Sequence, residues 1–402
     1  MSAPQHPAIP LTPYVYGGII GVYTGRELLA SVMAPLSREI GLSTFQVGLI
    51  LSTSALTIIL ISPFWGRMVT GWGHRRVLIS SIFGASSGLL GFAVVAHLGL
   101  LGILPAVVTF ALALLLRGVL YGAASAATPI ATQSYVVAVT TDRRSRVRAF
   151  AMIGASFGIA GVVGPSLGGL LALRGLLVPL YVPPVLLAAI GCLLWFKLRV
   201  TTPAIATPDV RAGRLSPLDP RIRAFLAIGF VLFSTLSIQG VLLGFVLQDR
   251  LGLSAEATAR LSGLAFLGSG IASLVGQVFF VRRLAWPPAW LLRCGLPLVL
   301  IGFVVLAFAG NFGVIVAATA LVGFGYAFAI PGYSAGPTLL VRDHEQGGVA
   351  GLTNAFNGVA SIVGPTAATA LYGVRASAPY LVGAVLLAGA LAVAASKRLP
   401  IR

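Results

Sequence analysis

The chain has 402 residues, of which 57% are hydrophobic and only 9% charged, with a mean hydropathy of +0.99; soluble domains carry about 25% charged residues, so water is not its main solvent. Its net charge of +18 does not describe a nucleic-acid partner, because the basic residues sit between apolar segments rather than on one face of a soluble module. Cys192 and Cys294 fall inside apolar runs without the partners of a disulfide framework or zinc site, and His6, His74, His97 and His344 have no ligand spacing, so no metal or other cofactor is expected.

The N-terminal segment Met1 to Pro13 lacks the features of a cleaved signal peptide and is read as retained and cytoplasmic. Each bilayer crossing needs about 20 apolar residues. Runs of that kind predict spans at 13–36, 45–69, 77–97, 105–137, 148–172 and 177–197, then at 224–247, 259–281, 288–309, 312–340, 348–372 and 379–396. Between the two sets lies the one long polar stretch, rich in Thr, Pro and Arg, which reads as a linker. The predicted fold is therefore an all-α polytopic membrane protein of twelve transmembrane helices: a six-helix bundle at 1–198, a cytoplasmic linker at 199–223 and a second bundle at 224–402.

Basic loops stay on the cytoplasmic side. With both termini inside, nineteen Lys and Arg residues fall on that side and five (Arg38, Arg174, Arg250, Arg260, Arg375) outside, while Arg26, Arg117 and Arg293 lie within spans. This asymmetry predicts a multi-pass protein of a cell inner membrane with both termini cytoplasmic.

The two halves repeat one another. Gly158-Ile159-Ala160-Gly161-Val162-Val163-Gly164-Pro165 in the fifth span recurs as Gly358-Val359-Ala360-Ser361-Ile362-Val363-Gly364-Pro365 in the eleventh, and Gly41-Leu42-Ser43 as Gly252-Leu253-Ser254. Both echoes keep helix order and sidedness, so the repeats are parallel. At these residues the chain resembles the major facilitator superfamily. Gly164-Pro165-Ser166-Leu167-Gly168-Gly169 is similar to the fifth-helix motif of its drug/proton antiporter branch. Gly66 to Arg76 resembles the superfamily's basic loop signature, with Gly66, Gly73, Arg75 and Arg76 in place, but Thr70 stands where Asp is usual and Gly71 where Arg or Lys is usual. Arg117 followed by Gly122 resembles the fourth-helix Arg motif, with one residue of extra spacing. The resemblance implies two six-helix bundles that rock about a central cavity, working as a monomer in lipid and moving a small molecule and protons.

Of the nine acidic residues only Glu27 lies deep in a span, where a carboxylate must be paired, wetted or protonated. Glu27 is about nine residues, and Arg117 about twelve, from the outer ends of spans one and four, roughly 14 and 18 Å at the helical rise. A Glu27–Arg117 pair is therefore expected, either as the proton-coupling pair or as a static ion pair. Arg26 points about 100° away from Glu27 and either meets substrate or snorkels to the interface; Arg293 is expected to snorkel. Tyr16, Tyr23, Tyr121, Ser125, Gln239, Tyr326 and Tyr333 are polar handles that either meet substrate or face neighbouring helices. Gly164, Pro165, Gly168 and Gly169, with Gly364 and Pro365, are read as packing and bending elements.

Together these features lead us to expect a proton-coupled exporter of a drug, metabolite or siderophore. The alternatives are a proton-coupled importer or facilitator of a small anion and, more remotely, a membrane-embedded enzyme, for which the sequence holds no acid/base cluster. The excess of arginine over glutamate inside the spans leans the cavity toward anionic or zwitterionic cargo.

Overall fold

The computed structural model describes residues 12–140, 143–197, 215–281, 283, 286–342 and 345–396. In hydrocarbon every backbone N–H and C=O must be satisfied inside the segment, so an apolar run that spans a membrane alone becomes a helix. Among the described residues there is no strand, and twelve long helices follow in order. The first six are α1 Thr12–Leu28, α2 Thr44–Trp72, α3 His74–Leu100, α4 Ala106–Val139, α5 Arg143–Leu171 and α6 Val178–Lys197. The second six are α7 Arg223–Leu251, α8 Ala255–Val281, α9 Pro288–Phe308, α10 Phe312–Ala335, α11 Gln346–Val374 and α12 Ala378–Ala395.

Ten of these, searched among the described residues, are long and apolar enough to cross a membrane. The other two are α1 and α11. The first is short and carries Arg26 and Glu27; the eleventh carries Thr353, Asn354, Asn357, Ser361, Thr366 and Thr369. These two polar helices both face the central cavity.

Two irregularities shape that region. After α1 the chain tightens into a 3-10 turn, Leu29–Ser31, before resuming as Met33–Glu39. Pro35 accounts for the break, since its ring clashes with the carbonyl four residues earlier, at Ser31. Glu27 is thereby left in the last turn of α1. In α4 the segment Leu114–Leu120 is π-helical and contains Arg117, a widening of the kind that gathers at functional positions.

The halves use the same contacts. α1 packs on α5 as α7 packs on α11, α2 on α4 as α8 on α10, and α3 on α4 and α6 as α9 on α10 and α12. The Gly-Leu-Ser echo has a physical role in both. Gly41 and Gly252 end their helices with φ of 72° and 59°, a region that favours glycine. Ser43 and Ser254 then cap α2 and α8, accepting from Gln46 N at 3.2 Å and Ala257 N at 3.3 Å.

The most extensive crossings between the halves are α5 against α8 and α2 against α11. Both depend on missing side chains. A Cβ on Gly169 would sit 2.6 Å from Gly263 Cα, and one on Gly48 would sit 2.8 Å from the Pro365 carbonyl oxygen. Gly164 and Gly168 pack α5 on α1 instead: a Cβ at Gly164 would lie 2.6 Å from that of Glu27, and one at Gly168 would collide with the Leu28 carbonyl and the Ser31 hydroxyl. Gly364 repeats this toward α7, 2.8 Å from Ser237 Cβ on the same measure.

Residues 199–214 of the expected linker 199–223, and both chain ends, lie outside the described residues. Where the chain returns, Arg221 binds Asp219 through Nη2 at 2.8 Å and Glu345 at 3.0 Å, tying the start of α7 to the segment before α11. The guanidinium holds the Asp219 carboxyl below the usual carboxylate range.

These contacts make a matched pair of substitutions informative. Gly168→Leu overpacks the α5–α1 contact and is expected to cost about 1–3 kcal/mol. Gly158→Leu, where a Cβ would meet nothing within 4 Å, should be close to neutral. Thermal unfolding in detergent checks the difference, and equal melting temperatures for the two variants would contradict the packing role.

Candidate functional site

Between the halves lies a cavity of about 440 Å³. Its first wall comes from α1, α2 and α4 and carries all its charge: Arg26, Glu27 and Arg117, with Ser54 beside them. The facing wall, from α7 and α11, presents Phe233, Ser237, Asn357 and Ser361, which are neutral. Met33, Leu51, Ile58 and Ile59 make the remaining surface apolar.

The charged residues are satisfied in three different ways. Arg26 bends back on its neighbour: Nε donates to Glu27 Oε1 at 2.8 Å, and Nη2 donates to the same oxygen. Its guanidinium also stands 4.9 Å from the centre of the Tyr23 ring, and that ring meets Phe157 edge-on at 4.5 Å. Arg117, only 1% exposed, has no carboxylate partner among the described residues. Nη1 donates to Ser54 Oγ at a long 3.5 Å, Nε has no hydrogen-bond partner, and one face is covered by Tyr121 with 4.4 Å from guanidinium carbon to ring centre. Tyr121 is itself fixed by donating its hydroxyl hydrogen to Val22 O at 2.9 Å.

A desolvated cation over an aromatic face gains about 2 kcal/mol, whereas an uncompensated buried charge costs about 3–5 kcal/mol. Tyr121 therefore offsets only part of the cost of burying Arg117.

This geometry corrects the sequence reading at several points. Glu27 pairs with Arg26 and not with Arg117. The 100° between adjacent Cβ directions does not separate them, because the flexible arginine stem folds back over one turn. Arg26 accordingly lines the cavity and does not snorkel. Arg293 reaches α12, donating to Ala394 O at 2.9 Å. Of the tentative substrate contacts, Tyr23 and Arg26 are on the wall, but Tyr121, Gln239, Tyr326 and Tyr333 are buried behind it. Tyr326 is committed to Thr235 Oγ1 at 3.0 Å and Tyr333 to Asn357 Oδ1 at 2.8 Å. Ser54, Ser237, Asn357 and Ser361 were missed. The four-residue spacing of Asn357 and Ser361 on an otherwise small-residue helix was the available signal.

Between α2 and α3, Gly73 has φ 81° and joins the two helices; Gly66, inside α2, has nothing within 4 Å of a Cβ position. Arg75 donates to Trp195 O at 2.7 Å on α6, and Arg76 is exposed. Thr70, replacing the usual acid, hydrogen-bonds to Arg67 O at 2.7 Å in its own helix and offers no charge for a latch.

At the opposite end the halves are clasped by charge. Arg38, after α1, pairs with Asp249 at the end of α7, and Tyr372 of α11 donates to Asp249 Oδ2 at 2.6 Å. The Arg38 guanidinium also lies 5.4 Å from the Phe245 ring centre. Half-exposed pairs of this kind contribute about 1 kcal/mol or less, enough to bias a balanced equilibrium about fivefold. Asp249→Asn is expected to loosen this end. Spin labels on Glu39→Cys and Glu256→Cys should then show an added longer-distance population, and an unchanged distance distribution would contradict the clasp.

Comparison with known proteins agrees with this architecture. Residues 15–365 match the family model of the Major Facilitator Superfamily. The chain is 27% identical over 390 residues to the class C tetracycline resistance protein of Escherichia coli, covering 92% of this chain and 93% of that one. It is 23% identical over 397 residues to the quinolone resistance protein NorA of Staphylococcus aureus (strain COL), covering 96% of each. Among solved structures it is similar to a bacterial homologue of the human lysosomal transporter Spinster (TM-score 0.71, 15% identity, 96% of this chain and 95% of that one). It is also similar to the human organic anion transporter MFSD10 (TM-score 0.64, 18% identity, 97% and 100%). With two parallel six-helix repeats around one cavity and a family match across most of its length, the chain belongs to the Major Facilitator Superfamily and is a multi-pass membrane transporter, not an enzyme.

Proposed function

We propose that this transporter is an exporter of small organic molecules in a bacterial-type inner membrane, exchanging cargo for an inward-moving proton by alternating access. One observation carries the proton step: Glu27 is the only carboxylate among the residues lining the cavity. A carboxyl in hydrocarbon holds its charge while a cation faces it and takes a proton when that cation turns away. The groups facing Glu27 are Tyr23 and Arg26 of its own helix and Arg117 and Tyr121 of α4; from α5 the contact is Gly164, which carries no charge.

Outward transport is supported by the tetracycline and quinolone resistance relatives. The distribution of basic residues supports cytoplasmic termini, which makes the Arg38–Asp249 end the outer one. In this reading the structure is closed outside, and cargo enters from the Arg75 side. The bundles 1–198 and 224–402 rock as the two moving bodies of a monomer, embedded in lipid.

The test is gradient-driven efflux from proteoliposomes by wild type, Glu27→Gln and Glu27→Asp. Glu27→Gln should lose proton-driven transport by about tenfold or more, since the ionisable group is removed. Glu27→Asp should keep partial coupling. Full gradient-driven transport by Glu27→Gln would make the carboxylate structural.

A further inference from the structure

The cavity offers two docking points of opposite sign. Arg117 is nine-tenths or more buried, lines the cavity, has an Nε without a hydrogen-bond partner and makes no ion pair with a carboxylate among the described residues. Glu27 is held from one side only: both Arg26 donors go to Oε1, and among the described residues no donor reaches Oε2. The intervening surface is apolar, with Leu51, Ile58 and Phe233 among its members.

We infer that the cargo is a zwitterion on an apolar frame, its anionic group docking on the Arg117 guanidinium and its cationic group on Glu27 Oε2. The inference rests on the exchange reading above and deepens it by naming the cargo's chemical class. Exchange requires cargo and proton to compete for one group, and the cavity's one carboxylate is that group. A purely anionic cargo would bind more tightly once Glu27 was protonated and lost its negative charge, so cargo and proton would travel together, against exchange. A purely cationic cargo would compete at Glu27 but leave Arg117 buried without a counter-charge and repel it. A zwitterion meets both requirements: its cation displaces the proton, and its anion gives Arg117 the partner that the protein does not supply.

Three compounds sharing one ring system test this directly: 3-(2-naphthyl)alanine, 3-(2-naphthyl)propanoate and 2-(2-naphthyl)ethylamine. Their equilibrium binding to the purified full-length protein in detergent is measured with no proton gradient. The zwitterion is expected to bind about tenfold more tightly than either singly charged compound, the gain expected of one additional charge-assisted hydrogen bond. Arg117→Gln should remove that advantage, leaving the zwitterion no tighter than the amine. Because the ranking in wild type decides the matter alone, a poorly folded Arg117 variant does not rescue the idea. Equal binding by all three, a preference for either singly charged compound, or no binding by any of them overturns it. Since no gradient is present, such a failure leaves the exchange reading standing, while a failure of the Glu27→Gln efflux assay leaves the binding order intact.

Discussion

A charge placed in the hydrocarbon span of a helix has to be neutralised, stacked or hydrated, and the centre of this molecule is arranged around three such charges. Arg26 and Glu27 neutralise each other within one turn of α1. Arg117 is stacked on Tyr121, which in turn is pinned to the backbone of α1 through Val22. The pair and the lone cation share one cavity, and these three side chains alone set its charge. The neutral wall of α7 and α11 leaves that balance to the first half alone.

Packing connects this chemistry to the joint between the halves. On one edge of α5, Gly164 and Gly168 bring the helix against Glu27, Leu28 and Ser31; one residue further, Gly169 meets Gly263 of α8. The same few turns thus touch the charged turn of α1 and the opposite half. Close-packed surfaces shift between discrete arrangements and do not deform smoothly. In the proposed exchange, sliding of α8 on α5 would displace the backbone against which the Glu27 side chain is set. The Arg38–Asp249–Tyr372 clasp joins the far end of the same bundles with a modest ionic contribution.

The fold was largely legible in the sequence because lipid imposes a single solution on each apolar run, and because the Gly-Leu-Ser and Gly-x-x-x-x-x-Gly-Pro echoes mark equivalent turns and contacts in each half. The site was legible only in part. Glu27 stood out by its rarity and Arg117 by its depth, but depth says nothing of side-chain direction: a long arginine can fold back on its neighbour, as Arg26 does. Tyr121, Tyr326 and Tyr333 were prominent as polar residues in apolar helices, yet their hydroxyls are spent on Val22, Thr235 and Asn357. The smaller Ser54, Ser237 and Ser361 line the cavity, but hydropathy does not tell a serine on a cavity wall from one bonded within its own helix.

The central claim is that cargo and proton compete for one carboxylate in this cavity. Proton exchange with weakly buffered solution, recorded as 3-(2-naphthyl)alanine is added to purified protein at a series of pH values, reads that competition directly. Wild type should release protons on binding and Glu27→Gln should release none. Equal release from both proteins, or proton uptake by wild type, would contradict the account.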